Sequence, residues 1–395
     1  PTEPWRWKRE WADGRIASSG KARFLLPTIM AFFWNLISAP LLFVLPKEVL
    51  EKENYLALIG LVFPLVGVGL LIWAGRSFAH WKKFGDSVFE MSTFPGVIGG
   101  RLAGRILSST DLDPTSGHLL RLDNINRVTT GSGDNRSTSE RILWQDERHL
   151  LEEAAQYDPT RSEIPVDFRI PHDASPTEER SEDDEVLWRL EVEAEVPGID
   201  YSAVFEVPVF QTADSRSEEE DEDIHIEPWG GQSALPLELA RYGIDSELLS
   251  TGRQRLTFQA ARHKGTALAV TTFLAVWLGF NYLLIAVDAP IFFPIIWSLF
   301  SLLLLYGALD LWFERRVIEV HPDLLVLSGG IFGLGKTYEI RKSAIQGIQP
   351  VRGMQSGNKL FYRIRITTHN DKTHIAATKL DNLSLARHIV DLLTQ

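Results

Sequence analysis

The octapeptide Gly330-Ile331-Phe332-Gly333-Leu334-Gly335-Lys336-Thr337 is the stretch whose residue types and spacing most resemble chemical machinery. It fits the phosphate-loop pattern G-x-x-x-x-G-K-[ST] letter for letter. In such a loop Gly330 and Gly335 would let backbone N–H groups cradle a nucleotide phosphate. Lys336 would neutralise the anion and Thr337 would hold magnesium. That chemistry needs a helix directly after the loop, because unpaired N–H groups and the helix dipole must face the phosphate. The sequence offers a strand instead: Thr337-Tyr338-Glu339-Ile340 alternates and is rich in β-branched and aromatic residues. Too little chain follows for a parallel nucleotide-binding sheet. The octapeptide therefore reads as a glycine-rich hairpin loop, with nucleotide binding kept as an alternative.

Other constellations supply no reaction. Neither His-Glu-x-x-His nor Gly-x-Ser-x-Gly occurs, and the ten histidines are scattered. His225 beside Glu227 reads as a loop residue rather than a metal ligand. Two acidic runs, Glu178 to Glu185 and Glu218 to Asp223, lack the spacing of a calcium loop and read as solvated loops. With no cysteine there is neither a disulfide nor a thiolate site. A formal charge of −12 argues against general nucleic-acid binding. No catalytic residue, metal or cofactor is assigned.

The elements that would position these residues are dominated by four apolar runs. Phe24 to Leu45, Tyr55 to Gly75, Thr266 to Val287 and Ile291 to Leu309 contain no Asp, Glu, Lys or Arg. Each approaches the ~20 residues that cross a ~30 Å hydrocarbon core as a helix. Short links join them into two hairpins. Lys and Arg cluster on one side: Arg6 to Arg23, then Arg76, Lys82 and Lys83, then Arg253 to Lys264, then Arg315 and Arg316. This bias places both termini and the middle segment in the cytoplasm. Trp5, Trp7 and Trp11, interleaved with cations, suggest a short interfacial helix. Asn35, Thr272 and Asn281 read as hydrogen-bonding groups between helices.

Between Phe84 and Gly230 the chain is acidic and lacks lysine. Strict alternation at Leu187–Val196 sets Trp188, Leu190 and Val192 toward a core and Glu191 and Glu193 toward water. Further strands are expected at Ser87–Met91, Arg101–Leu107, His118–Ile125, Arg141–Gln145, Val166–Ile170 and Tyr201–Phe210. Many short strands with turn signals between them suggest an antiparallel β-sandwich, with a barrel as the alternative. After Arg315 cations predominate, and six strand-like runs precede a helix on which Leu383, Ala386, Val390 and Leu393 share a face behind an Asp381 N-cap. The expected organisation is an interfacial segment (1–23), a transmembrane hairpin (24–83), an acidic sandwich (84–230), a juxtamembrane linker or helix (231–265), a second hairpin (266–312) and a small α+β domain (313–395).

Two resemblances accompany this reading. The tryptophan- and arginine-rich start through Trp11 and Gly14, the segment Phe33 to Pro40, and Val88 to Gly104 with Gly99, Gly100 and Gly104 resemble bacterial membrane proteins of domain-of-unknown-function family 3592. That family implies no activity. The strands and closing helix after the last span resemble bacterial pleckstrin-homology-like domains, which implies binding of lipid or protein. The expected function is a non-enzymatic membrane anchor, scaffold or accessory subunit that engages the lipid bilayer, presents two cytoplasmic modules to protein partners and can self-associate. A transporter or channel subunit is the alternative, ranked second because the spans hold no ionisable residue of the kind that marks an ion pathway.

Overall fold

The computed structural model describes residues 3–6, 8, 11–18, 20–53, 55–110, 112, 117–131, 136–150, 156–158, 161–216, 239–249, 253–357 and 359–394. Trp7, the run Glu218 to Asp223, His225 and Glu227 lie outside them. The chain divides into two units: Pro1–Glu53, Gly60–Ala234 and Gln355–Lys359 form one, and Asn54–Ile59, Leu235–Met354 and Leu360–Gln395 the other. Among the described residues four helical stretches are long and apolar enough to cross a membrane: Phe24–Glu51, Val62–Phe84, Lys264–Ala286 and Phe292–Phe313.

In the first unit, helix α1 (Gly20–Ser38) breaks at Ala39 and Pro40 before α2 (Leu41–Glu51). Proline has no N–H to continue the ladder there. The next apolar run opens as a 3-10 turn, Tyr55–Leu61, and becomes α3 (Val62–Phe84). Helix α3 carries on past the charge-free run through Arg76, Lys82 and Lys83, where cations favour the helix C-terminus. Asn35 ties the hairpin together, donating to the carbonyls of Ala31 at 2.8 Å and Gly67 at 3.1 Å.

The same unit holds the strands. They are β1 (Arg15–Ala17), β2 (Val88–Met91), β3 (Gly96–Val97), β4 (Arg101–Ser108), β5 (His118–Thr130), β6 (Ser137–Leu150), β7 (Gln156–Asp158), β8 (Arg161–Arg169), β9 (Glu178–Ser181), β10 (Asp184–Ala194), β11 (Tyr201–Val207) and β12 (Val209–Phe210). One antiparallel sheet runs β1-β2-β4-β8-β7 and another β11-β10-β5-β6, with β9 on β10 and a small parallel β3–β12 pair. Phe89, Leu102, Ile106 and Phe168 from the first share a core with Leu122, Trp188, Leu190 and Phe205 from the second. Sinking each such side chain stabilises the fold by roughly 1.5–3 kcal/mol. The boundaries of this sandwich differ from expectation. Residues before the first helix belong to it, because β1 pairs with β2. Trp11, expected at a membrane interface, is 4% exposed in this core and donates its indole N–H to the carbonyl of Glu206 at 3.0 Å. Trp5 lies in a 3-10 turn, Pro4–Arg6, with its ring against Phe210. The first acidic run is not a loop but the β9–β10 hairpin, where Arg127 meets Glu185 and Asn126 meets Asp184.

The second unit contains β13 (Ile244–Leu249), β14 (Arg253–Phe258), α4 (Lys264–Ala286), α5 (Phe292–Phe313), β15 (Glu314–Val320), β16 (Leu324–Ile331), β17 (Tyr338–Arg341), β18 (Ile345–Ser356), β19 (Lys359–Thr368), β20 (Thr373–Leu380) and α6 (Leu383–Thr394). Strands β13 to β17 form one five-stranded meander and β18 to β20 a second sheet. Within the range 231–265, expected as a linker or helix, Ile244–Leu249 and Arg253–Phe258 are instead paired strands, with Leu256 and Phe258 buried. The small domain thus starts before the second helical hairpin, not after it. Its last helix buries Leu385, Ala386, Ile389 and Leu393. The cap is Asn382, whose Oδ1 accepts from Leu385 N–H at 3.0 Å, rather than Asp381.

Candidate functional site

Both units share one construction. In the second, β14 and β15 are hydrogen-bonded antiparallel neighbours, with Phe258 opposite Arg316, and the whole α4–α5 hairpin is the connection between them. Helix α5 ends at Phe313 and β15 begins at Glu314, with no linker. In the first unit β1 and β2 are paired neighbours, Ala17 opposite Val88, and the connection is the α1–α3 hairpin.

Charged side chains knit the α5–β15 junction. Lys379 reaches Asp310, in the last turn of α5, and Glu314 at 2.7 Å; Arg316 meets Glu314 at 2.8 Å. Burial works to raise the Glu314 carboxyl, but hydrogen bonds from Lys379 and Arg316 outweigh it and hold the group below the ordinary carboxylate range. On the α4 side, His263 bonds the Lys379 carbonyl at 2.9 Å and Arg262 donates to Thr378 at 3.1 Å. Burial lowers both groups. Arg316 is therefore a partnered structural residue, whereas Arg315, one position before it, is exposed on the opposite face. Asp310, Glu314 and Lys379 were missed in the sequence because Lys379 lies far along the chain from the other two; the Asp directly after an apolar run was the available signal.

At the junction of the first unit, Lys83 donates to the carbonyls of Pro197 at 2.9 Å and Ile199 at 3.4 Å. Thr110 bonds the Lys83 carbonyl at 3.0 Å and Ser109 that of Phe84 at 2.7 Å. Lys82 and Arg76 are exposed. The expected interfacial set is thus split: Lys83 ties the end of α3 to the sandwich and Arg316 ties β15 to β20, while Arg76, Lys82 and Arg315 face outward.

The phosphate-loop-like octapeptide is a β-hairpin. Leu327 pairs with Tyr338, so a strand and not a helix follows Thr337. Gly330 (φ +131°) and Gly333 (φ +74°) adopt backbone conformations that side chains rarely tolerate. A Cβ on Gly335 would stand 1.6 Å from the Gly329 carbonyl oxygen. The glycines therefore serve a tight crossing of two backbones. Lys336 is exposed and Thr337 lines a concavity of about 460 Å³ on the sheet. The concavity carries both signs of charge: Asp245, Glu247 and Glu319 beside Arg255 and Arg315. Arg255 is taken up by Glu319 at 2.8 Å. The arrangement offers no helix dipole to a triphosphate.

A second constellation lies on the outward face of the β10–β5–β6 sheet. Glu191, Arg121 and Glu147 face one another across three strands, with contacts of 3.3 and 3.1 Å. Glu191, expected in water, is 5% exposed. Burial opposes the Arg121 charge, but Glu147 and Glu191 outweigh it and hold the guanidinium above its ordinary range. In the next row burial pushes the Asp123 carboxyl up to about 7, against a 2.6 Å hydrogen bond from Gln145 and the Arg121 charge. A third row repeats the first with Glu140, Arg127 and Glu185. Alternation alone signals only the side of the sheet, so these rows read as solvated.

No protein-family model and no curated protein matches the chain. Among solved structures it is similar to the crystal structure of Spo0M, a sporulation control protein from Bacillus subtilis, with 8% identity and a TM-score of 0.21 over 65% of this chain and 88% of that one.

Proposed function

We propose that the chain is a non-enzymatic integral membrane protein that presents two cytoplasmic interaction modules, as an anchor, scaffold or accessory subunit in a bacterial inner membrane. One observation carries this: each apolar hairpin is spliced between two hydrogen-bonded neighbouring strands of a folded module. Such splicing obliges both ends of a hairpin to stay on one side of a bilayer. The hairpin surfaces suit lipid, since Leu299, Leu302 and Leu303 of α5 are all more than half exposed, as are Phe43 and Ile37 of the first hairpin. The one-sided Lys and Arg distribution assigns that side to the cytoplasm. A sheet meander, a second sheet and a closing helix support the pleckstrin-homology-like reading of the second module, and hence a protein or lipid partner for it.

Because the chain has no cysteine, single substitutions report cleanly. An impermeant maleimide applied to intact cells should modify Lys52→Cys at a hairpin tip. Asp173→Cys in the sandwich and Asp371→Cys in the second module should react only after permeabilisation. Modification of either in intact cells would overturn the cytoplasmic placement.

The transporter or channel reading is favoured by one observation. Asn281 is buried in the α4–α5 hairpin, donates to Ser298 at 2.9 Å, and leaves its Oδ1 without a hydrogen-bond partner. Loss of a measurable ion flux in Asn281→Leu would move the assignment to that class.

A further inference from the structure

The tip of the glycine-rich hairpin is apolar where a water-facing turn should be polar. Phe332 is 60% exposed and Leu334 85% exposed. Register fixes the height of this tip. Strand β15 starts directly after the last residue of helix α5 and runs antiparallel to β16, with Glu314 opposite Ile331. The end of β16 is thereby drawn back to the end of the helix. Phe332 N–H donates to the Phe313 carbonyl at 3.0 Å, and the two rings stack with centroids 4.5 Å apart. Residues 331–336 thus project beside the final turn of α5. Around them Lys336 and Arg315 are exposed cations.

We propose that this tip inserts into the interfacial layer of the bilayer that α5 crosses. Phe332 and Leu334 enter the upper acyl region, and Lys336 and Arg315 meet lipid phosphates. The inference rests on the membrane reading above. Aromatic side chains at a helix end, an apolar tip and flanking cations are the chemistry of the headgroup boundary. The occupant is lipid rather than a protein because Phe332 already continues the lipid-facing surface of the helix through its stack on Phe313. The glycines keep the tip thin and hold its two backbone arms in contact. Insertion gives the five-stranded sheet a third attachment beside α4 and α5, which sets its orientation to the membrane plane.

The test uses the full chain in lipid vesicles with an environment-sensitive fluorophore on single cysteines at Leu334→Cys, Leu302→Cys in α5 and Asp371→Cys. Lipids brominated near the top or near the end of the acyl chain act as depth-dependent quenchers. The expected result is blue-shifted emission at Leu334→Cys, with greater loss of intensity to shallow than to deep bromines. Leu302→Cys should show the reverse order and Asp371→Cys no quenching. If Leu302→Cys is quenched while Leu334→Cys emits like Asp371→Cys, the tip is in water and the proposal is overturned. Blue-shifted but unquenched Leu334→Cys would mean that protein covers the tip, which also overturns it. If Leu302→Cys is not quenched, the membrane reading fails and the insertion falls with it.

Discussion

Arg121 stands between Glu147 and Glu191 with almost no water around it. Such a row is worth little as a net stabiliser, yet breaking it leaves a buried charge uncompensated, at about 3–5 kcal/mol. Glu191→Lys should therefore lower the unfolding free energy of the sandwich by that order in denaturant titrations. A surface site would change it by about 0.5 kcal/mol or less. Asp123 makes a separate, pH-dependent contribution. Burial raises its folded-state carboxyl to about 7, above its ordinary 3.8, so the folded state holds a proton that the unfolded state has lost. Stability from this group thus falls as pH rises from about 4 to about 7. Comparing melts at pH 5 and pH 8, Asp123→Asn should lose part of the alkaline destabilisation, while an unchanged difference would mean that Asp123 is ionised in the fold. His118 works in the opposite direction. Burial lowers it to about 4, so its contribution is lost as pH falls from about 6.5 toward 4.

At the scale of elements, strand β10 separates what alternation decides from what it leaves open. Trp188, Leu190 and Val192 are buried in the sandwich core, as their spacing requires. Leu190→Asp should abolish cooperative unfolding of this unit, because an unpaired carboxylate would replace a core side chain. The opposite face was not legible, since whether Glu191 meets water depends on what lies above the sheet. The glycine-rich hairpin makes a paired prediction. Gly335→Ala should destabilise the second unit, because its Cβ has no room beside the Gly329 carbonyl. Lys336→Ala should leave the melt within about 0.5 kcal/mol. Helix α6 should lose about 1 kcal/mol in Asn382→Ala, which removes the acceptor for Leu385 N–H.

For the whole molecule, the spliced construction predicts that a module and its hairpin are separable. Replacing residues 261–313 by a two-residue Asn-Gly turn joins β14 to β15, which are already hydrogen-bonded neighbours, and keeps Phe258 opposite Arg316. A chain from Leu239 to Gln395 so altered should be soluble without detergent, rich in strand by circular dichroism, and should melt cooperatively. An aggregated product would show that the α4–α5 hairpin forms part of the module's core. The ion pair lost with Asp310 should lower the melting temperature without preventing folding, because Lys379 retains Glu314 as a partner.

Composition and local period by themselves determined the helical spans and most strands of this protein. A run without charge must form a helix in lipid, where every backbone group needs an internal partner, and a two-residue period must form a strand with one buried face. Only the tertiary structure decided which segments complete which sheet. Ile16 and Phe258 lie before their helical hairpins yet pair with strands that follow them, at Phe89 and Arg316. Pairing of that kind is a long-range event, and the short strands on either side carry no local mark of their partner. The same holds for Lys379 and Asp310, and for Arg121 with Glu147 and Glu191. An ion pair forms where the backbone brings opposite charges together, and the distance along the chain is silent about where that will be.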